Sequence, residues 1–139
     1  MKFQKLNIVS LIVLVLILFS SCKKDDSSNI TDIVVNGNWK ISLFQEDGSI
    51  KTSNYSGYSF IFNSNNTISA TKNSQSTNGS WSSGNDDSKS KLVINFGSVS
   101  PLDELNEDWE ILEKSSSIIK LKHISGGDGS IDYLNFEKN

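Results

Sequence analysis

From Trp39 onward, apolar and polar residues alternate in short runs, and the runs are divided by clusters of Asn, Gly, Ser and Asp. A period of two puts alternate side chains on opposite faces of an extended chain, so the pattern predicts strands and turns, not helices. Trp39, Ile41 and Leu43 mark a first strand that ends near Glu46-Asp47-Gly48. Tyr58, Phe60 and Phe62 mark a second, and Ile68 and Ala70 a third beyond the turn "NSNN". Gly79 and Trp81 lie in a fourth, followed by "SSGNDDS" as a loop tip. Leu92, Ile94 and Phe96 form a fifth, Trp109 and Ile111 a sixth, Ile119 and Leu121 a seventh, and Leu134 and Phe136 the eighth. Asn and Gly at the breaks tolerate the positive backbone angles of tight turns.

One segment breaks the rhythm. "SPLDELNED", from Ser100 to Asp108, holds the only proline. Ser100 suits a helix cap, Pro101 the first helical position, and Leu102 and Leu105 can share one face. Acids crowd the segment, as helix N-termini favour. The reading is a short helical turn between strands five and six. Eight strands joined by short connections predict an all-β, antiparallel meander, and closure into a barrel removes the edge strands. A two-sheet sandwich is the alternative, and the consecutive hairpins favour the barrel.

The pattern before Trp39 is different. Lys2 and Lys5 precede the oily run "IVSLIVLVLILF", from Ile8 to Phe19, which is shorter than the roughly 20 residues of a membrane-spanning helix. A basic start, a short apolar middle and small residues at the border describe a secretory signal. The border reads Ser20-Ser21-Cys22, and Cys22 is the only cysteine. This resembles the lipobox of bacterial lipoproteins, which implies cleavage before Cys22 and acylation of its sulfur. Each buried methylene of an acyl chain contributes about 0.8 kcal/mol to anchoring, so several chains hold firmly. Lys23-Lys24-Asp25-Asp26 resembles the surface-export signal of some Gram-negative lipoproteins, and would equally serve as a solvated tether. The expected organisation is a signal peptide over 1–21, a flexible tether over 22–33 and a folded domain over 34–139. The expected location is the cell envelope, anchored to the outer membrane through Cys22, on either face.

Charge narrows the function. The whole chain carries net −3 with no arginine, and loss of the leader removes Lys2 and Lys5 but no acid. A nucleic-acid partner would call for a clustered basic face, so none is expected. One cysteine forms no disulfide within the chain, so the core must supply the stability.

Gly37-Asn38-Trp39 at the head of the first strand, "GYSFIFNSNNTISA", "NGSW" and the closing "DYLNFEK" together resemble the lipocalin-like domain of small bacterial lipoproteins. The resemblance implies a barrel with Trp39 plugging its closed end, and a binding role without a specific ligand. The alternation itself makes Trp39, Ile41, Phe60, Phe62, Trp81, Ile94, Phe96, Trp109, Leu121 and Phe136 the candidates for the barrel interior. These rings and branched chains either line a cavity for a small apolar ligand or fill the core at crystal-like density.

Candidate chemistry is sparse. His123, the sole histidine, follows the phase of Ile119 and Leu121 and is expected at the barrel mouth, without partners of matched spacing for catalysis or metal ligation. Ser88-Lys89-Ser90-Lys91 fits S-x-x-K but enters a strand, where the motif's helix is missing. Asp103, Glu104, Glu107, Asp108, Glu110 and Glu113 make an acidic stretch expected to be mostly solvated. "SGNDDS" and "SGGDGS" are oxygen-rich loops without EF-hand spacing. The expectation is a non-enzymatic binding module, with no cofactor and no metal. It either carries a small apolar ligand or meets an envelope protein or glycan through its loops around a filled core.

Overall fold

The computed structural model describes residues 29–139. The expected signal peptide, the lipidation site Cys22 and the Lys23–Asp26 stretch lie outside the described residues. The domain is all-β. Nine antiparallel strands run β1 (Asn38–Glu46), β2 (Ser49–Ile50), β3 (Ser59–Phe62), β4 (Thr67–Lys72), β5 (Gln75–Asp86), β6 (Lys89–Asn95), β7 (Glu107–Lys114), β8 (Ile118–Ile124) and β9 (Ile131–Lys138). Each strand from β3 to β8 pairs with its successor, and β9 pairs back with β1. β1 pairs with β3, so eight strands close a barrel and the two-residue β2 is an appendage on β1.

The hairpins follow from their turn residues. Asp47-Gly48, Asn73-Ser74 and Asp87-Ser88 each form a two-residue connection in which both residues have positive φ. That backbone matches the right-handed twist of paired strands, and Asp, Asn and Gly adopt it at least cost. The β5–β6 hairpin corrects one expectation. "SSGNDDS" is not a loop tip: β5 runs on through Asp86, Asn85 pairs with Ser90, and only Asp87-Ser88 turns.

Two further corrections concern the domain's ends and its interruption. Residues 30–33, assigned to the tether, belong to a short helix α1 (Ile30–Val35) that buries Ile30, Ile33 and Val34. Asn29 caps it by accepting from the Thr31 N–H at 3.2 Å, and the Thr31 hydroxyl meets Ser83 Oγ on β5 at 2.8 Å. Polar spacing had disguised the helix, but its three apolar side chains have a core to join. The 100–108 segment does form a helical turn, of 3₁₀ type over Leu102–Leu105. Its cap position is taken by Pro101 after a cis Ser100-Pro101 peptide, and no side chain caps it. The roles expected of Ser100 and Pro101 are therefore shifted by one residue. Leu102 and Leu105 are both buried.

A second 3₁₀ turn, Thr52–Tyr55, precedes β3. The Tyr55 hydroxyl donates to the Pro101 carbonyl at 2.9 Å and ties the two turns together.

The core is continuous and dense in rings. All ten residues expected inside are buried, the most exposed being Ile41 at 8%. Phe62 meets Phe136 and Trp81 edge-on at 5.6 Å each, and Phe60 meets Phe136 at 5.5 Å, the geometry aromatic quadrupoles prefer. All three indoles donate to backbone carbonyls: Trp39 to Val34, Trp81 to Asn63 and Trp109 to Leu105. Leu43 departs from its expected phase. The β1–β9 register shifts between Ile41 and Leu43, so Phe44 takes the buried position and Leu43 is only half-buried.

Candidate functional site: two clefts on a filled barrel

The barrel interior is crowded with buried rings. Trp39, Trp109, Phe44, Phe60, Phe62 and Phe136 occupy the barrel with under 2% of their surface exposed. Its outer surface carries one cleft where strands part and another among charged side chains.

The larger follows from the seam between β1 and β3. Only Asn38 and Trp39 pair with Ile61 and Phe60 there. Beyond Trp39 no further β1–β3 pairs form, and the 3₁₀ turn Thr52–Tyr55 stands beside the gap. The result is an open cleft of about 540 Å³, floored by Ile41, Tyr55 and Tyr58 and rimmed by Lys40, Thr52, Ser53, Ser56, Gly57, Ser59 and Asn139. Its parts are held unevenly. Thr52 Oγ1 accepts from the Phe44 N–H at 2.9 Å, and Ser59 donates to the Asn38 side chain. Asn139 donates from its backbone to the Asn38 carbonyl at 2.8 Å. The hydroxyls of Ser53 and Ser56 have no hydrogen-bond partner among the described residues.

Tyr55 anchors the floor. Its ring meets Phe44 edge-on at 5.2 Å, and its oxygen lies 3.4 Å from Glu104 Oε2. Burial, followed by the Glu104 carboxylate, raises its phenol well above the ordinary tyrosine range. Lys51 bridges Glu46 and Glu104, the latter at 3.5 Å. Tyr58 is half-buried, with the Lys72 ammonium 4.9 Å from its ring centre.

The smaller cleft, about 240 Å³, is charged and draws on β5 to β8. Lys89, Lys91, Lys122, Asp108 and Glu110 face it together with Asp86, Asp87, His123 and Ile124. Glu110 accepts from Lys89 at 3.0 Å and lies 3.5 Å from Lys122, and the Lys89 hydrogen bond holds its carboxyl below the usual carboxylate range. Lys91 pairs with Asp108 at 3.6 Å.

His123 has the partners that sequence spacing did not disclose. Its Nε2 lies 3.5 Å from Glu107 Oε2 and its Nδ1 3.3 Å from Asp108 Oδ1, while its ring stands edge-on to Trp109 at 6.0 Å. Fifteen or so intervening residues hide this pairing from any local motif; the β7–β8 hairpin register creates it.

The other candidates stay apart. Asp103 and Glu104 sit on the 3₁₀ turn, and Glu113 pairs with Lys120 at 2.7 Å. Ser88 is in the β5–β6 turn and Lys91 on β6, so the S-x-x-K residues share no helix. In "SGGDGS", Asp128 accepts from the Ser130 N–H at 2.9 Å and so serves the turn itself. That hydrogen bond also lowers its carboxyl.

No protein-family model matches the sequence, and no curated protein matches it. Among solved structures, the chain is similar to a DUF4847 family protein from Bacteroides vulgatus ATCC 8482, with a TM-score of 0.53 at 19% identity. The match covers 80% of this chain and 98% of that one. At that identity the likeness speaks for the barrel fold alone.

Proposed function

We propose that this protein is a lipid-anchored cell-envelope binding module that meets its partner on the outside of a filled barrel. The observation that carries the reading is the interior: six of its largest side chains have under 2% of their surface exposed. A carrier of a small apolar ligand needs a few hundred Å³ of apolar cavity, and the density of buried rings in this interior favours an outside surface instead. The β1–β3 cleft is the surface this reading assigns to recognition. Its unpaired Ser53 and Ser56 hydroxyls, the Lys40 amine and the Tyr58 ring suit a hydroxyl-rich ligand, and the partner proposed is a glycan. Anchoring through Cys22 rests on the lipobox-like border and would hold the cleft close to the envelope's polysaccharides.

The test is a glycan-array screen of the full chain, repeated with Tyr58→Ala and Ser56→Trp. A glycan bound by the parent and lost in both variants supports the reading. A co-purifying apolar small molecule in native mass spectrometry, or a stoichiometric protein partner with a blank array, overturns it.

A further inference from the structure

We propose that Glu107, Asp108 and His123 form a binding site for a divalent transition-metal ion such as Zn2+. One donor atom from each lies within 4.8 Å of the other two. The imidazole is held in place: the His123 side chain is 16% exposed, and its ring packs edge-on against the fully buried Trp109. The carboxylates straddle one edge of that ring, Glu107 beside Nε2 and Asp108 beside Nδ1.

The convergence is not what a regular strand provides. Successive strand residues point to opposite faces. Glu107 and Asp108 are the first two residues of β7, directly after the 3₁₀ turn and Asn106, and both carboxylates nevertheless reach the same imidazole. Asn106 fixes this entry by accepting from the Phe96 N–H at 2.6 Å and donating to the Gly97 carbonyl at 2.6 Å.

The spacing suits an ion. Metal–donor bonds of about 2.0–2.2 Å place neighbouring donors roughly 3.0–3.5 Å apart around a tetrahedral or octahedral centre. The His–carboxylate separations are 3.5 Å at Nε2 and 3.3 Å at Nδ1, and because an imidazole gives one nitrogen to one ion, only one of them is a donor–donor spacing about a single centre. Glu107 and Asp108 are 43% and 53% exposed, so the carboxylate beside the other ring nitrogen has solvent-side room to turn toward the nitrogen that holds the ion. One imidazole and two carboxylates suit Zn2+ or its first-row neighbours better than Ca2+, which prefers an all-oxygen shell. The charged cleft opens beside Asp108 and His123, leaving room for water or a ligand oxygen to complete the coordination. The inference is independent of the glycan reading, since it concerns β7 and β8 instead of the β1–β3 seam and its probe is the metal alone.

The experiment is isothermal titration of ZnCl2 into the full chain carrying Cys22→Ser, so that no thiol competes. One equivalent should bind, and His123→Gln and Glu107→Gln should each weaken binding tenfold or more, while Asp128→Asn leaves it unchanged. Circular dichroism melts verify that each variant folds, and Glu107→Gln, at an exposed position, serves if His123→Gln does not. Co2+ in place of Zn2+ should broaden the His123 imidazole resonances in NMR. Absence of saturable binding, or affinity indifferent to Glu107→Gln, overturns the site.

Discussion

The indole Nε1 of Trp39 donates to the Val34 carbonyl at 2.9 Å, and so fastens the short N-terminal helix to the first strand of the barrel. Both residues are fully buried. Gly37 makes the approach possible, because a Cβ there would stand 2.9 Å from the Trp39 ring. Trp39→Ala should therefore cost about 3–5 kcal/mol through the cavity it leaves. Trp39→Phe should cost less, about 1–3 kcal/mol, chiefly because the Val34 carbonyl loses its donor. Urea denaturation of both variants checks the order, and equal midpoints for parent and Trp39→Phe would remove the hydrogen bond from the account.

Gly79 and Gly84 lie on one strand and should behave oppositely. A Cβ at Gly79 would fall 2.4 Å from the Asn95 carbonyl oxygen and 2.8 Å from Phe96 Cδ1, whereas nothing lies within 4 Å at Gly84. Gly79→Ala should destabilise by about 1–3 kcal/mol as an overpacked contact. Gly84→Ala should be neutral or stabilise by up to about 1 kcal/mol through the unfolded chain. Thermal melts of the pair decide it.

Tyr55 should make the fold sensitive to alkali. Its folded phenol titrates well above the ordinary value, for burial first and Glu104 second. A raised folded pKa leaves its contribution fully present below the unfolded phenol's pKa of about 10. As pH climbs past that value the unfolded chain ionises first, so this stability is lost progressively toward the higher folded pKa. Denaturation midpoints measured from pH 8 upward should fall beyond about pH 10, and Tyr55→Phe should flatten the slope while lowering stability at neutral pH. A parent midpoint level across that range would contradict the burial of this phenol.

Cys22→Ser should move the protein from the membrane fraction to the soluble fraction of its own cells. Unchanged fractionation would contradict lipid attachment through that sulfur.

Much of the barrel was readable because its signals are local. Each two-residue alternation, such as Leu92-Ile94 or Ile119-Leu121, needs only near neighbours to reveal a strand, and Asp47-Gly48 announces its own turn. Phe44 and Tyr55 were missed for a different reason. The register shift after Ile41 moved Phe44 into the core, and Tyr55, in a polar stretch, is buried only because the gap between β1 and β3 must be filled. Ile30 and Ile33 likewise looked like tether until a core existed for them to cover.

The sites divide along the same line. His123, Glu107 and Asp108 were each noticed along the chain, yet no spacing rule joined them. The sequence by itself determined the all-β character and most of the turns, because alternation and turn chemistry act over a few residues. The tertiary structure alone decided the β1–β9 register, the burial of Phe44 and Tyr55 and the meeting of His123 with two carboxylates. Those depend on strand register and on irregularities such as the β1 shift, which bring together residues far apart in the chain and leave no trace in its local pattern.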